Sequence, residues 1–380
     1  MKRITDRLLI GSFAATLFLL SGAFLARPVE SFSELENRYL QKMPRLTWDN
    51  LLSKKFADEA ESFVTDHFPL RADWIGVKSA AERLRLQQEN NSIYKGKDGY
   101  LFEKFPEPNY EKVKSYVEAV KRLAEKHPDA NISFLLAPTS IGMYPERLPW
   151  KAPNYPQEKV NEYVGSLLGD SADYLNGFDF LRPHAAESIY YRTDHHWTTL
   201  GAYYAYVAYA EQMGWTAAGL DEFQIENVSD TFLGSFHTRG QFGGLKPDVI
   251  QKFTSLHPVD SKMHVVDDNT DYDSLYAEQF LAKKDQYPYF LGGVHALSTI
   301  TSKLDADQAD LDKLLIVKDS YAHSLIPFLT KHVAEIHVID IRFYNGSIAG
   351  YMEENGIDNS LLLFNTATFA DNGAILKLAR

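Results

Sequence analysis

The chain contains no cysteine, so it has neither disulfide bonds nor a thiol nucleophile. A secreted protein can do without such staples when its core is large, and this length provides for one. Basic residues are in deficit, 39 against 51 acidic, for a net charge of −12. No long run of lysine or arginine interrupts that balance, which argues against nucleic acid as a partner. No internal repeat and no segment of low complexity is present. What remains is 380 residues, enough for one large α/β domain or a domain with sizeable insertions.

The longest uncharged stretch runs from Leu8 to Ala26, preceded by Lys2, Arg3 and Arg7 and closed by Arg27-Pro28. Its 19 residues suffice to cross a hydrocarbon core of about 30 Å as a helix. A cleavable signal peptide is the alternative, with Ala26 at the cut, but Phe24 occupies a position where a small side chain is expected. The basic residues ahead of the segment orient it with the N-terminus in the cytoplasm and the rest of the chain outside.

From Pro28 to about Leu51 the sequence is polar and irregular, a stalk, and Phe56 to Leu86 has helical spacing broken at Phe68-Pro69. Lys97-Asp98-Gly99 feeding Tyr100-Leu101-Phe102 signals a hairpin or strand entry and the start of the core domain. After a helical pattern over Tyr110–Lys126, the run Ile132–Ala137 reads as a buried parallel strand. Leu314–Val317, Ile336–Ile339 and Leu361–Phe364 repeat that signal with helix-length segments between them, which predicts βαβ units. The division is therefore 1–27 as membrane anchor or signal peptide, 28–95 as stalk and helical segment, and 96–380 as the core domain. Residues about 227–303 are expected to form an insertion at the rim of the site.

Two stretches carry chemistry. In Arg192-Thr193-Asp194-His195-His196-Trp197-Thr198, Thr198 or Thr199 can cap the following helix and leave Asp194 and His196 in the loop before it. A carboxylate two residues from an imidazole can accept its Nδ1 proton and stabilise the imidazolium formed in base catalysis. In Leu314–His323, a buried strand ends in a polar turn that opens a helix running to about Leu329, with Ser320 at the junction. The first N–H groups of such a helix lack intrahelical partners and can receive an oxyanion. Taken alone, a serine there is an ordinary helix cap, and paired histidines are ordinary packed residues.

The string RTDHHWTTLGAYYAY resembles the signature of the DHHW family and matches the Asp-x-His-Trp element of the alginate O-acetylation proteins. The resemblance extends through SELENRYLQKMP, DHFPLR at Asp66–Arg71, GKDGYLF at Gly96–Phe102 and KDSYAHSLIPFL at Lys318–Leu329. It implies an SGNH-hydrolase-like three-layer α/β fold with a mainly parallel sheet, in which the order of motifs is permuted so that Asp-x-His precedes the serine. Carried over, Asp194 orients the base, His196 is the base, Ser320 is the nucleophile, and His195 is structural. The implied activity is transfer of an acetyl group through an acyl-serine to an exported or cell-wall polysaccharide. A membrane-bound O-acyltransferase would supply the acetyl groups, and no metal or cofactor is called for. An acetylesterase using the same triad, and a non-catalytic polysaccharide-binding scaffold, are the alternatives.

Other candidates are weaker. Ser140, after the first strand, is a rival nucleophile without an Asp-x-His partner. Arg239, Arg342 and Tyr344 are candidates for contacting a sugar or closing the oxyanion hole, and Tyr191 and Trp197, in a tyrosine-rich stretch, for stacking on sugar rings. Asp267, Asn269, Asp271, Asp273 and Glu278 have the spacing of a calcium loop, but Tyr272 stands where the turn wants glycine. His195, His196 and His323 could be read as a zinc site, although the triad uses His196 without a metal.

Overall fold

The computed structural model describes residues 88–304 and 309–380 without interruption, and 2–71 apart from 27–28, 30–31 and 34–37; between 72 and 87 it describes Trp74, Val77 and Ala81. Contacts divide the chain into two compact units, Met1–Gln87 with Gln241–Gly244, and Gln88–Gly240 with Leu245–Arg380.

In the first unit, a helix spans Lys2–Ala26, and within its Thr5–Ala26 portion an 18-residue stretch has a mean hydropathy of 2.1 with none of that stretch buried. By length and composition it can cross a membrane, which is compatible with a signal or an anchor. A short helix over Trp48–Leu52 precedes a longer one, Lys55–Asp66, which ends at His67, whose Nδ1 lies 2.9 Å from the Phe63 carbonyl oxygen. That end comes just ahead of Phe68-Pro69, where the residue before proline is pushed out of the helical region. The predicted helical spacing from there to Leu86, the Arg27-Pro28 junction and residues 34–37 of the stalk motif lie largely or wholly outside the described residues.

The second unit is built on an eight-stranded sheet, its strands numbered here in chain order. They are β1 (Asn131–Ala137), β2 (Asp173–Asn176), β3 (Ser261–Val265), β4 (Thr270–Tyr272), β5 (Leu297–Ser302), β6 (Leu311–Lys318), β7 (Val333–Asp340) and β8 (Asn359–Asn365). The sheet order is β4-β3-β5-β7-β6-β8-β1-β2, with the five strands from β7 to β2 parallel and the other three antiparallel. The parallel strands β1, β6, β7 and β8 contain the four apolar runs seen in the sequence, and their inner residues are buried on both faces. Helices cover the sheet. Tyr110–Lys126, capped by Asn109, packs Val113, Val117, Val120 and Leu123 inward, and Thr199–Gln212 buries Tyr203, Tyr206 and Tyr209. This mainly parallel, three-layer α/β arrangement is the SGNH-hydrolase-like fold that the resemblance implies.

Part of the segment expected as a rim insertion belongs to the sheet itself. Strands β3, β4 and β5 fall within 227–303 and extend the sheet beyond β7. Burial alternates along β3 and β5, through Met263, Val265, Ser298, Ile300 and Ser302. Such strands lack the continuous apolar run by which the central ones are recognised. Ahead of Gly96, Glu89–Asn90 and Ile93–Lys95 already pair with each other, and Ile93–Lys95 pairs with Leu101–Glu103, in a small three-stranded sheet.

Candidate active site

The carboxyl ends of the parallel strands gather the site, as open α/β sheets do where the strand order switches direction. Ser320 follows β6, Arg342 follows β7, Asn365 closes β8 and Thr139 follows β1.

Residues 190–197 form a loop closed at its base by a bridge between Tyr190 and Trp197 and by the Thr198 N–H, which donates to the Ile189 carbonyl at 3.0 Å. Thr198 caps the helix that follows, its hydroxyl accepting from the Gly201 N–H at 3.3 Å. The loop is held from outside by buried Asp248. One of its oxygens accepts from Arg192 N and Nε at 3.1 and 3.0 Å, the other from Thr193 N and Oγ1 at 2.8 and 2.6 Å. Within the loop, Asp194 Oδ2 faces His196 Nδ1 at 2.6 Å and accepts from the His196 N–H at 3.1 Å; its Oδ1 accepts from the Ser235 N–H at 2.7 Å. Gly234 makes that approach possible, because a Cβ there would lie 2.2 Å from Asp194 Cβ.

On the other side, β6 ends at Lys318 and Asp319 turns the chain. Its Oδ1 accepts from the Tyr321 N–H at 2.9 Å, and its Oδ2 from Asn365 N and Nδ2 at 2.8 and 2.7 Å. Ser320–Ser324 is a 3₁₀ turn followed by a short α-helix over Ile326–Leu329, rather than one helix opening at Ser320. The aspartate cap changes the oxyanion expectation too, since the Tyr321 N–H is already engaged. Trp197, wholly buried, ties the two motifs together: its Nε1 donates to the Tyr321 carbonyl at 2.9 Å and to Ser324 Oγ at 3.1 Å.

Between these anchors, His196 Nε2 lies 2.7 Å from Ser320 Oγ. Asp194, His196 and Ser320 thus form one continuous line, with Asp194 and His196 buried and Ser320 half-buried. Burial opposes ionisation of Asp194, but the two imidazoles facing it hold its carboxyl well below the usual carboxylate range. Burial, and after it the charge of His195, push His196 below the ordinary imidazole value, with Asp194 pulling the other way. Burial also disfavours charge on His195, yet Asp194 outweighs it and raises that imidazole. His195 Nδ1 lies 2.7 Å from Ser235 Oγ. A neutral base, a fixed carboxylate and a hydroxyl at proton-transfer distance can together generate a serine nucleophile.

A cleft of about 620 Å³ opens beside this line, with His195, Phe236, Thr139, Gln157, Asn365 and Arg342 among its walls. Arg342 is half-buried and held by Asp340, its Nε and one terminal nitrogen donating to the two carboxylate oxygens at 2.8 and 2.6 Å. Asp340 also accepts from buried Lys318 Nζ at 2.9 Å, and that nitrogen lies 2.7 Å from His323 Nε2.

The remaining candidates are dispersed. Tyr191 and Trp197 are 1% and 0% exposed and pack inside, where no sugar ring can stack on them. Tyr344 packs edge-on against Tyr351, while Arg239 reaches Glu103 of the cleft wall at 2.7 Å. Ser140 is buried and its hydroxyl has no hydrogen-bond partner among the described residues. Donor atoms of Asp194, His195 and His196 lie within 4.8 Å of one another, the one such cluster among the described residues, but they are engaged with each other and with Ser235 and Ser320; His323 belongs to the Lys318 pair. The calcium-like loop is taken up by the sheet: Asp267 accepts from the Leu297 N–H at 3.2 Å, Asp271 pairs with His264 at 2.8 Å, and Asp273 pairs with Lys262 at 2.7 Å. Asp319, Ser235, Gly234, Asp248, Asp340 and Tyr287 were not among the sequence candidates. Only Asp319 had a local signal, as the capping residue before Ser320.

Solved structures of other proteins share this fold. The crystal structure of a DHHW family protein from Eubacterium siraeum matches at 23% identity with a TM-score of 0.66, over 76% of this chain and 95% of the other. The structure of Bacillus cereus PatB1 with a sulfonyl adduct matches at 16% identity with a TM-score of 0.65, over 76% of this chain and 98% of the other. No curated protein matches the sequence. The profile of the family described as DHHW protein matches residues 116–339. That span is more than half of the chain and runs from the helix before β1 to the end of β7, with both the Asp194-x-His196 loop and the Ser320 turn inside it; the chain belongs to the DHHW family.

Proposed function

We propose that this protein is an extracytoplasmic, serine-dependent O-acetyltransferase that carries an acetyl group on Ser320 and delivers it to hydroxyls of an exported or cell-wall polysaccharide. The observation that supports this most directly is the unbroken line from Asp194 Oδ2 through His196 to Ser320 Oγ, with separations of 2.6 and 2.7 Å. Both lie in the range of roughly 2.6–3.2 Å needed for proton transfer.

In the first half-reaction, His196 Nε2 takes the Ser320 proton as Oγ attacks the acetyl carbonyl of the donor. The imidazolium then protonates the leaving group, and an acetyl-serine ester remains. In the second, His196 takes the proton of a sugar hydroxyl as that oxygen attacks the ester, and returns it to Ser320 Oγ as the bond breaks. Asp194 keeps the Nδ1 proton on the far side throughout. We assign Arg342, held in the cleft wall by Asp340, to the negative charge that develops on the carbonyl oxygen.

The apolar helix ahead of the catalytic unit supports an anchor that keeps the enzyme at the outer face of the membrane. Acetyl groups would arrive there from a membrane-bound O-acyltransferase. Because PatB1 was captured with a sulfonyl adduct, a sulfonyl fluoride is a suitable probe of Ser320. Mass spectrometry should find one sulfonyl group on the wild-type protein and none on Ser320→Ala. Incubation with an acetyl donor and oligosaccharides of several compositions should then give a serine-dependent gain of one acetyl. Failure with every acceptor, combined with serine-dependent deacetylation of acetylated polymer, would replace the transferase with an esterase.

A further inference from the structure

The ring of Tyr287 lies flat on the imidazole of His196, with centroids 3.5 Å apart and planes 6° from parallel. It comes from the segment between β4 and β5, remote in sequence from both catalytic motifs, and is 5% exposed. Its position is determined from several sides. The hydroxyl donates to the Ser320 carbonyl at 3.3 Å and lies 3.4 Å from Ser324 Oγ, and Tyr191 and Phe290 pack on the ring at centroid distances of 6.4 and 5.4 Å.

Asp194 and Ser320 occupy the two nitrogens of the imidazole, which fixes them in the ring plane but leaves its tilt open. A ring stacked flat on that plane removes this freedom. It also acts on charge, because a cation over an aromatic face is attracted by the ring quadrupole, more strongly where water is excluded. His196 is a cation only after it has taken the serine proton. The charged and titratable groups around it are Asp194 and His195 on its own loop, Asp319, Tyr321 and His323 on the serine turn, and Arg342 after β7. Asp194 favours the cation, while His195 and Arg342 oppose it.

We propose that Tyr287 is a positioning residue that holds the His196 ring in line with Ser320 Oγ and stabilises the imidazolium formed as the serine attacks. The inference rests on His196 acting as the base for Ser320.

The test is an NMR titration of the His196 ring in full-length protein in detergent, labelled with ¹⁵N-histidine. The signal is assigned by its loss in His196→Gln, and the titration is run on the Ser320→Ala background so that the readout does not depend on turnover. Tyr287→Leu should lower the His196 pKa by about half a unit to one and a half units. In the Ser320-containing enzyme the same change should lower kcat roughly tenfold with little change in KM. Tyr287→Phe, which keeps the ring, should return the pKa to the wild-type value. Simple loss of packing predicts the opposite sign, since water reaching the imidazole would raise its pKa. A pKa that rises or stays put in Tyr287→Leu, or a Tyr287→Phe value equal to that of Tyr287→Leu, overturns the proposal. Should Tyr287→Leu fail to fold, a ring-fluorinated phenylalanine at 287 keeps the shape while draining the quadrupole; it should lower the pKa below that of Tyr287→Phe, and equal values overturn the proposal. If instead Ser320→Ala retained turnover, the acyl-serine reading would fail while the ring titration would still be interpretable.

Discussion

Replacing Gly234 with alanine adds one methyl group at the point where the backbone passes closest to Asp194. That carbon would sit 2.2 Å from Asp194 Cβ, 2.5 Å from Oδ1 and 2.6 Å from Cγ. Non-bonded carbons settle at about 3.5–4.0 Å, so the two groups must separate by more than 1 Å. Asp194 cannot give way freely, because its two oxygens are bonded to Ser235 N and to His196. Either the 234–235 backbone retreats and releases the Ser235 N–H, or the carboxylate swings away from His196 Nδ1. Overpacking of this kind costs about 1–3 kcal/mol of stability, and a misplacement of about 1 Å at a catalytic group costs on the order of 100-fold in rate. The prediction is a folded protein, destabilised by that amount in urea titrations, whose kcat on an activated acetyl ester falls toward that of Asp194→Ala. Gly234→Ala with kcat within about threefold of wild type, measured on protein shown to be folded, would refute the claim that this contact positions the triad.

Ser320→Ala and His196→Ala should each abolish nearly all acetyl-ester turnover, because members of a triad act as a unit; retention of most activity in Ser320→Ala with loss in Ser140→Ala would move the nucleophile to Ser140. Asp248→Ala removes four hydrogen bonds to Arg192 and Thr193 and should cost about 2–4 kcal/mol in chemical denaturation, with a matching loss of activity as the histidine loop loosens. His196 and His323 are both held below the ordinary imidazole value, first by burial, so the unfolded chain binds protons that the folded chain refuses. Their contribution to stability is therefore complete above about pH 6.5 and declines as the pH falls below it. Urea midpoints measured across that range should drop on the acid side, and a His323→Gln variant should show a shallower drop.

Several features of this protein are written in local sequence. The apolar runs within β1, β6, β7 and β8 are visible because a parallel strand covered on both faces is apolar at nearly every position. The uncharged segment ending at Ala26 is visible for a similar reason, since a helix with no polar face needs no periodicity to be recognised. Asp194 and His196 are neighbours by connectivity alone, and Thr198 as a helix cap sets them in the loop ahead of that helix.

The other features depend on which distant segments meet. Strands β3 and β5 alternate buried with more exposed residues, a pattern shared by many loops rich in polar residues, and the pairing of β5 with β7 and of β3 with β5 selects them as strands. The tyrosines beside the histidines were legible as a group, but only packing decides which face an aromatic ring presents, and Tyr191 and Trp197 turned inward while Tyr287, from elsewhere, came to rest on His196. Asp248, Gly234 and Asp340 are ordinary residue types without a motif; each acts through a partner contributed by another strand or loop. Sequence by itself determined the central parallel strands, the anchor-like helix and the chemical kinds present, because those follow from composition and short-range spacing. Tertiary structure alone decided that Ser320 Oγ stands 2.7 Å from His196 Nε2, because the turn after β6 and the loop ahead of the Thr199–Gln212 helix are remote in sequence and meet through Trp197, with Asp248 holding the loop.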